Sequence, residues 1–312
     1  MEKTRVAIID LGTNTFNLLV AEVNGSSYRI LAESKYPVKL GKGGINKAII
    51  TEEAMERGIE ALDSHLITTS EYNVAGIFCF ATSAIRSATN GNSFVQRVKQ
   101  KLGLPIRIIP GDEEAETIFD GVKQVIPMAN DPVLIMDIGG GSIEFIIANK
   151  TGVLWKDSYN LGVARLLEQF TPSDPIRVSE ISTIEKHLKS QLGTLFEAVK
   201  RFPVKLLVGT SGSVDTLASI VCKERYPLLD INKITSLYIE LDGLEEAHNL
   251  LLSLNIDGRR VVPGMDPDRV DTIVLASIIV QWVLKELKIQ ALAMCAFALK
   301  EGAILQIIQS EF

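Results

Sequence analysis

Val6-Ala7-Ile8-Ile9-Asp10-Leu11-Gly12-Thr13-Asn14-Thr15-Phe16-Asn17-Leu18-Leu19-Val20 is echoed later in the chain by Val133-Leu134-Ile135-Met136-Asp137-Ile138-Gly139-Gly140-Gly141-Ser142-Ile143-Glu144-Phe145-Ile146-Ile147. Each copy reads as an apolar strand ending in Asp-x-Gly, a short turn of small and hydroxyl residues, and a second apolar strand. Asp10 matches Asp137, Gly12 matches Gly139 and Asn17 matches Glu144. A buried strand that ends in Asp and runs at once into Gly-rich backbone puts a carboxylate and several amide N–H groups at one turn. That combination suits a phosphate with its metal ion. One copy alone is equally an ordinary hairpin, because Gly and Asn are what tight turns require. Two copies about half the chain apart favour a duplicated, two-lobed phosphate clamp.

Two more segments read as strand, small-residue turn and helix. Gly76-Ile77-Phe78-Cys79-Phe80-Ala81-Thr82-Ser83-Ala84-Ile85-Arg86-Ser87 passes from an apolar run through a hydroxyl cap into a helical pattern carrying Arg86, and Lys205 to Asp215 does the same. Such turns follow strands in the way that open α/β sheets present ligand sites. Helical spacing is predicted for Thr51 to Leu66, Asn92 to Leu102, Glu113 to Val125, Ser179 to Val199, Gly243 to Leu254 and Arg269 to Leu287. Strands alternating with these helices make the chain α/β. The turn-forming stretch from Pro127 to Pro132 precedes the second copy of the motif, so the domain boundary is expected near residue 126.

Composition narrows the function. The 312 residues are 46% hydrophobic and 22% charged, which fits a globular protein of two domains or one large one. No apolar run is long enough for a transmembrane helix, and the N-terminus leads into a strand rather than a signal peptide, so a cytoplasmic location is expected. Cys79, Cys222 and Cys295 lack CxxC spacing and read as buried thiols. His65, His187 and His248 read as solvated helix positions with no second ligand at metal spacing. The 32 basic and 38 acidic residues give a net charge of −6, which argues against a nucleic-acid-binding surface. An acidic protein that handles a polyanion concentrates positive field locally, with backbone amides, a few Lys or Arg and a divalent cation.

Two places could supply acid–base chemistry. Pro110-Gly111-Asp112-Glu113-Glu114-Ala115-Glu116 opens a helix with an acidic first turn, a pattern the helix dipole favours on its own account. Its position just before the boundary also suits a cleft. Glu144 leaves the Asp-Gly-Gly-Gly turn on a strand, where Glu is uncommon and costly to bury unpaired. Two carboxylates facing a held phosphate can orient water and accept its proton, which is phosphoryl transfer to water. The chain has no GxxxxGK[ST], no kinase HRD or DFG set, no GxSxG elbow and no CxxxxxR loop.

The motifs Ile9 to Phe16, Ala81 to Asn90, Gly111 to Gly121, Asp137 to Glu144 and Gly209-Thr210-Ser211-Gly212-Ser213 resemble, in order and over the whole chain, those of the exopolyphosphatase/guanosine pentaphosphate phosphohydrolase family. The resemblance implies two ribonuclease-H-like lobes of the actin, acetate kinase and Hsp70 superfamily, spanning residues 1–126 and 127–297. The final helix, about 298–312, is expected to pack back on the first lobe. A short form without the family's additional C-terminal helical domain is expected. By the family pattern Glu114 is the base, and Glu144 assists with water and metal. Gly12, Thr13, Asn14, Ser83, Arg86, Gly139, Gly140, Gly141, Ser142, Gly209 and Ser211 would hold phosphates. Asp137 and Glu144 would bind Mg2+, with Asp10 a weaker third. The expected substrates are inorganic polyphosphate and guanosine pentaphosphate, with a homodimer as the common assembly. Two other readings stay open: a small-molecule kinase of the same superfamily, which would need an acceptor, and a non-catalytic nucleotide or alarmone sensor, which would show no turnover.

Overall fold

The computed structural model describes residues 3–311. In chain order its elements are β1 (Thr4–Leu11), β2 (Thr15–Asn24), β3 (Ser27–Pro37), α1 (Glu52–Glu71), β4 (Gly76–Ala81), α2 (Ser83–Ser87), α3 (Gly91–Leu102), β5 (Ile106–Ile108) and α4 (Gly111–Val122). They continue as β6 (Val133–Ile138), β7 (Ile143–Asn149), β8 (Gly152–Tyr159), α5 (Val163–Phe170), α6 (Val178–Gln191), α7 (Gly193–Arg201), β9 (Leu206–Thr210) and α8 (Ser211–Arg225). The last are β10 (Ser236–Ile239), α9 (Leu241–Ser253), α10 (Ile256–Arg260), α11 (Ile273–Glu286), β11 (Ala291–Cys295) and α12 (Leu299–Glu311). The chain divides into two compact units, Met1–Gly121 with Leu299–Phe312, and Val122–Ala298.

The first unit has a five-stranded sheet in the order β3-β2-β1-β4-β5, with β1, β2 and β3 antiparallel and β4 and β5 parallel to β1. The second repeats it as β8-β7-β6-β9-β11 and adds β10 antiparallel at the outer edge. This is the ribonuclease-H-like strand order, once per unit. The central strands are apolar on both faces because helices cover both faces. In β1, Ala7, Ile9 and Leu11 enter a core with α1 and α3, while Val6 and Ile8 enter a second core closed by Ala303, Ile304, Ile307 and Ile308 of α12. A Cβ on Gly302 would lie 1.8 Å from the Thr117 carbonyl oxygen, so α12 also presses directly on α4.

Several expectations need correction. The segment Ser179 to Val199 is two helices, because the backbone leaves α6 at Leu192 (φ −96°, ψ 27°) and restarts as α7, with Leu192, Leu195 and Ala198 all buried. The helix predicted from Arg269 begins only at Ile273, after a 3₁₀ turn at Pro267–Arg269. Thr82 and Thr210 stand at the N-caps of α2 and α8, but neither side chain caps its helix. Their hydroxyls donate instead to the Leu11 carbonyl and the Asp137 carboxylate. His65 is fully buried rather than solvated, with Nε2 against the Phe16 carbonyl at 3.2 Å and Nδ1 against Ser34 Oγ at 3.1 Å. The three cysteines are free and buried, as expected.

Candidate active site

In the first unit the β1–β2 turn closes through Gly12 N donating to the Thr15 carbonyl at 3.1 Å, and a Cβ on Gly12 would come within 2.9 Å of that oxygen. Thr13 and Asn14 form the tip, and their carbonyls accept from Gly41 N at 3.3 Å and Lys39 N at 2.8 Å. None of the described hydrogen bonds uses the Thr13 or Asn14 amide, which leaves two N–H groups at the turn for an anion. Asp10 stands directly opposite Asn17 in the strand pairing, and Asn17 Nδ2 donates to Asp10 Oδ2 at 3.1 Å.

The β4–α2 junction brings in Ser83 and Arg86. Ser83 is 2% exposed and its Oγ has no partner, although a buried hydroxyl normally finds one. One turn further on, Arg86 Nη1 donates to the Ile109 carbonyl at 3.0 Å and to Glu114 Oε2 at 2.6 Å. No described hydrogen bond or ion pair uses Arg86 Nε or Nη2, so the guanidinium is pinned by one nitrogen and keeps two donors for an anion. Glu114 lies in the first turn of α4 and is buried, whereas Glu113 pairs at the surface with Arg107. Of the two neighbouring carboxylates, Glu114 is the one beside the anion donors.

The second unit repeats the turn with Gly139 N donating to the Ser142 carbonyl at 3.1 Å. The Gly140 and Gly141 carbonyls accept from Ala164 N and from Arg165 Nε, which fixes the loop, while their amides enter no described hydrogen bond. Ser142 is buried at the end of this turn. Asp137 and Glu144 face each other in the β6–β7 register, where the first unit has Asp10 and Asn17. Directly opposed residues share a sheet face about 5 Å apart. The structure therefore sets two carboxylates side by side, both below 10% exposed. Ser158 Oγ donates to Glu144 at 2.7 Å, and Thr210 Oγ1 donates to Asp137 at 3.4 Å. Burial pushes the Asp137 carboxyl above its ordinary range, against the pull of Ser211, Thr210 and Arg269.

At the β9–α8 junction Ser211 has φ +67°, a left-handed conformation a non-glycine residue holds only at a cost. Gly209 lies inside β9, where a side chain would overlap Val214, so its place is one of packing under the turn. Sequence reasoning missed Arg269. Its Nη1 donates to Ser213 Oγ at 3.4 Å, its buried Nε lies 3.8 Å from the Asp266 carboxylate without a hydrogen bond, and its Nη2 occupies the space where a side chain on Gly212 would project. The sequence signal was slight: an Arg in a 3₁₀ turn, 56 residues beyond Ser213.

Among the described residues no three His, Cys, Asp or Glu side chains gather into a complete metal cage. The opposed pair Asp137 and Glu144 suits a hard divalent ion nonetheless, since Mg2+ is commonly held by one or two carboxylates with waters and substrate phosphates completing its shell. Both oxygens are of the right chemistry, and a cation would relieve a buried like-charge pair.

The Ppx/GppA phosphatase family model matches residues 19–311. A bifunctional 3-dehydroquinate synthase/phosphatase of Fusobacterium nucleatum is 31% identical over 89% of this chain, and the chain spans only 43% of that protein's length. The crystal structure of an exopolyphosphatase from Cytophaga hutchinsonii is 34% identical and superposes with a TM-score of 0.95 over 98% of each chain. The Aquifex aeolicus member of the family, 23% identical, shares the fold at a TM-score of 0.80 over 99% of each chain. No helix among the described residues is long and apolar enough to cross a membrane. With the ribonuclease-H-like strand order in each unit and the family match across nearly all of its length, the chain belongs to the Ppx/GppA phosphatase family.

Proposed function

We propose that the protein is a magnesium-dependent phosphohydrolase that releases terminal orthophosphate from inorganic polyphosphate, with the 5′-phosphate of guanosine pentaphosphate as a second substrate. The observation that carries this reading is the Arg86 guanidinium, anchored by Nη1 to Glu114 and Ile109 and retaining two donors beside the unpartnered Ser83 hydroxyl. A forked cation next to a buried hydroxyl fits a phosphoryl group. We assign the Glu114 carboxylate, bonded to the same guanidinium, to take a proton from water.

In the reaction, water oxygen bonds to the terminal phosphorus, the bridging P–O bond breaks, and the shortened chain leaves with the bridging oxygen. Glu114 accepts the proton of the attacking water. Arg86, Ser83 and the Thr13 and Asn14 amides hold the phosphoryl oxygens. In the second unit the Gly140 and Gly141 amides and Ser211 bind phosphate, and Glu144 assists in orienting water. Asp137 and Glu144 would hold Mg2+, which when bound supplies positive charge to the phosphate oxygens.

The test is phosphate release from long polyphosphate, tripolyphosphate and guanosine pentaphosphate, measured side by side with Mg2+ and with chelator. Release from polyphosphate that stops in chelator is the expected outcome. No release from any of the three, or full activity in chelator, would overturn the reading.

A further inference from the structure

The loop that follows β3, Val38-Lys39-Leu40-Gly41-Lys42-Gly43-Gly44-Ile45-Asn46-Lys47, contains no acidic residue in a chain of net charge −6. It is bonded to the tip of the β1–β2 turn through Lys39 N to the Asn14 carbonyl and Gly41 N to the Thr13 carbonyl. Gly41 is needed for that approach, since a Cβ there would lie 2.8 Å from Thr13 Cγ2. Lys39 takes a left-handed conformation at φ +47°, which a residue with a side chain holds only at a cost. Arg57 of α1 holds that conformation in place, with Nε on the Val38 carbonyl at 2.9 Å and Nη2 on the Lys39 carbonyl at 3.2 Å. Lys42, three residues on, is exposed, and no described carboxylate pairs with it.

We propose that Lys39 and Lys42 form a subsite for the phosphates of the substrate chain that lie beyond the one being cleaved. The inference rests on the polyphosphate reading above and extends it to chain-length preference. An arginine fork holds the strained backbone at Lys39, whose side chain is partly exposed. Its effect is to fix a basic loop against the free amides of Thr13 and Asn14. Lysine suits such a place because an ammonium on a flexible stem can follow successive anionic groups without demanding a single geometry. A monophosphate or a short chain would gain little from it, and a long polyanion would gain charge contacts that salt screens.

The experiment compares wild type with the double variant Lys39→Gln, Lys42→Gln and with Lys39→Arg, Lys42→Arg, after thermal unfolding has verified that all three are folded. Affinity for long polyphosphate and for tripolyphosphate is measured by calorimetric titration at several salt concentrations, and steady-state kinetics on the same substrates follow. For long polyphosphate we expect the glutamine variant to bind about tenfold more weakly, with a shallower salt dependence. Its Michaelis constant should rise by a similar factor and kcat should fall less, while the arginine variant recovers binding. Tripolyphosphate should lose less than threefold. Unchanged affinity for long polyphosphate in the glutamine variant, or equal losses for both substrates, would overturn the subsite. Because the titration needs no turnover, a wild type that binds polyphosphate without hydrolysing it would sink the hydrolase reading and still leave the loop tested.

Discussion

Arg86 and Glu114 share one guanidinium nitrogen, Nη1, at 2.6 Å from the carboxylate, and the same nitrogen donates to the Ile109 carbonyl. The bond spans 28 residues and ties the short helix α2 to the first turn of α4. It fixes the carboxylate proposed as base relative to the cation proposed to hold phosphate.

Glu114→Gln should therefore separate binding from chemistry. The amide oxygen can still accept from Arg86, so the local geometry is kept, but the side chain can no longer take a proton. We expect kcat on polyphosphate to fall by about 10²–10⁴-fold, with affinity within about threefold of wild type. Phosphate release together with calorimetric binding checks both. An active Gln variant would remove Glu114 from the proton transfer.

Arg86→Lys keeps a charge and loses the fork. One ammonium cannot hold both Glu114 and a phosphoryl group with the same directionality, so the Michaelis constant should rise about tenfold or more. Arg86→Ala should do worse and also destabilise the first unit by about 2–3 kcal/mol, because it removes the guanidinium that balances the charge of the buried Glu114 carboxylate. Denaturant unfolding would register that loss, and an alanine variant of wild-type stability would contradict it.

The strand-turn-strand motifs were legible in the sequence because their function is carried by local backbone. Asp-x-Gly followed by small residues fixes the turn, and its repetition marks both units. The outer strands β3 and β8 were not, since Ser27–Pro37 and Gly152–Tyr159 mix charged and apolar residues on partly exposed edges and show no clean alternation. Ser83 and Arg86 were legible as a turn after a strand, but the orphaned hydroxyl and the shared nitrogen depend on contacts distant in sequence. Arg269 shows the limit most plainly: it reaches Ser213 from a separate turn, and no local pattern announces the contact.

Asp137→Asn should trade activity for stability. Burial holds the Asp137 carboxyl above its ordinary value of 3.8, so its protonated form is the one the fold prefers, and its contribution to stability is lost as pH rises through the raised value. Without metal at pH 7.5 the Asn variant should be more stable by about 1–2 kcal/mol. That gain should vanish at pH 4, and Mg2+ should no longer raise the melting temperature. Thermal unfolding with and without Mg2+ at both pH values checks this. An Asn variant less stable than wild type in chelator would refute the buried-charge argument.

Gly302→Ala should loosen α12. Its Cβ would meet Thr117 O at 1.8 Å and Gly121 N at 3.0 Å, both backbone atoms of α4 that cannot swing aside. Displacing the helix also disturbs Gln306 Nε2, which donates to Thr117 Oγ1 and Asp120 Oδ2. We expect a loss of about 2–4 kcal/mol, read as a fall in melting temperature. A shift below about 1 °C would mean that the two helices do not approach so closely.

His65 should make the first unit sensitive to mild acid. Burial lowers its tendency to protonate from the ordinary value of 6.5, with the Phe16 carbonyl opposing the effect. The unfolded chain then binds a proton that the folded chain refuses, so stability is complete above about pH 6.5 and is lost as pH falls below it. His65→Gln can still donate to the Phe16 carbonyl and carries no titrating group. The wild-type melting temperature should drop more steeply than the variant's between pH 7.5 and 5, and parallel curves would show that the ring stays accessible to protons in the folded state.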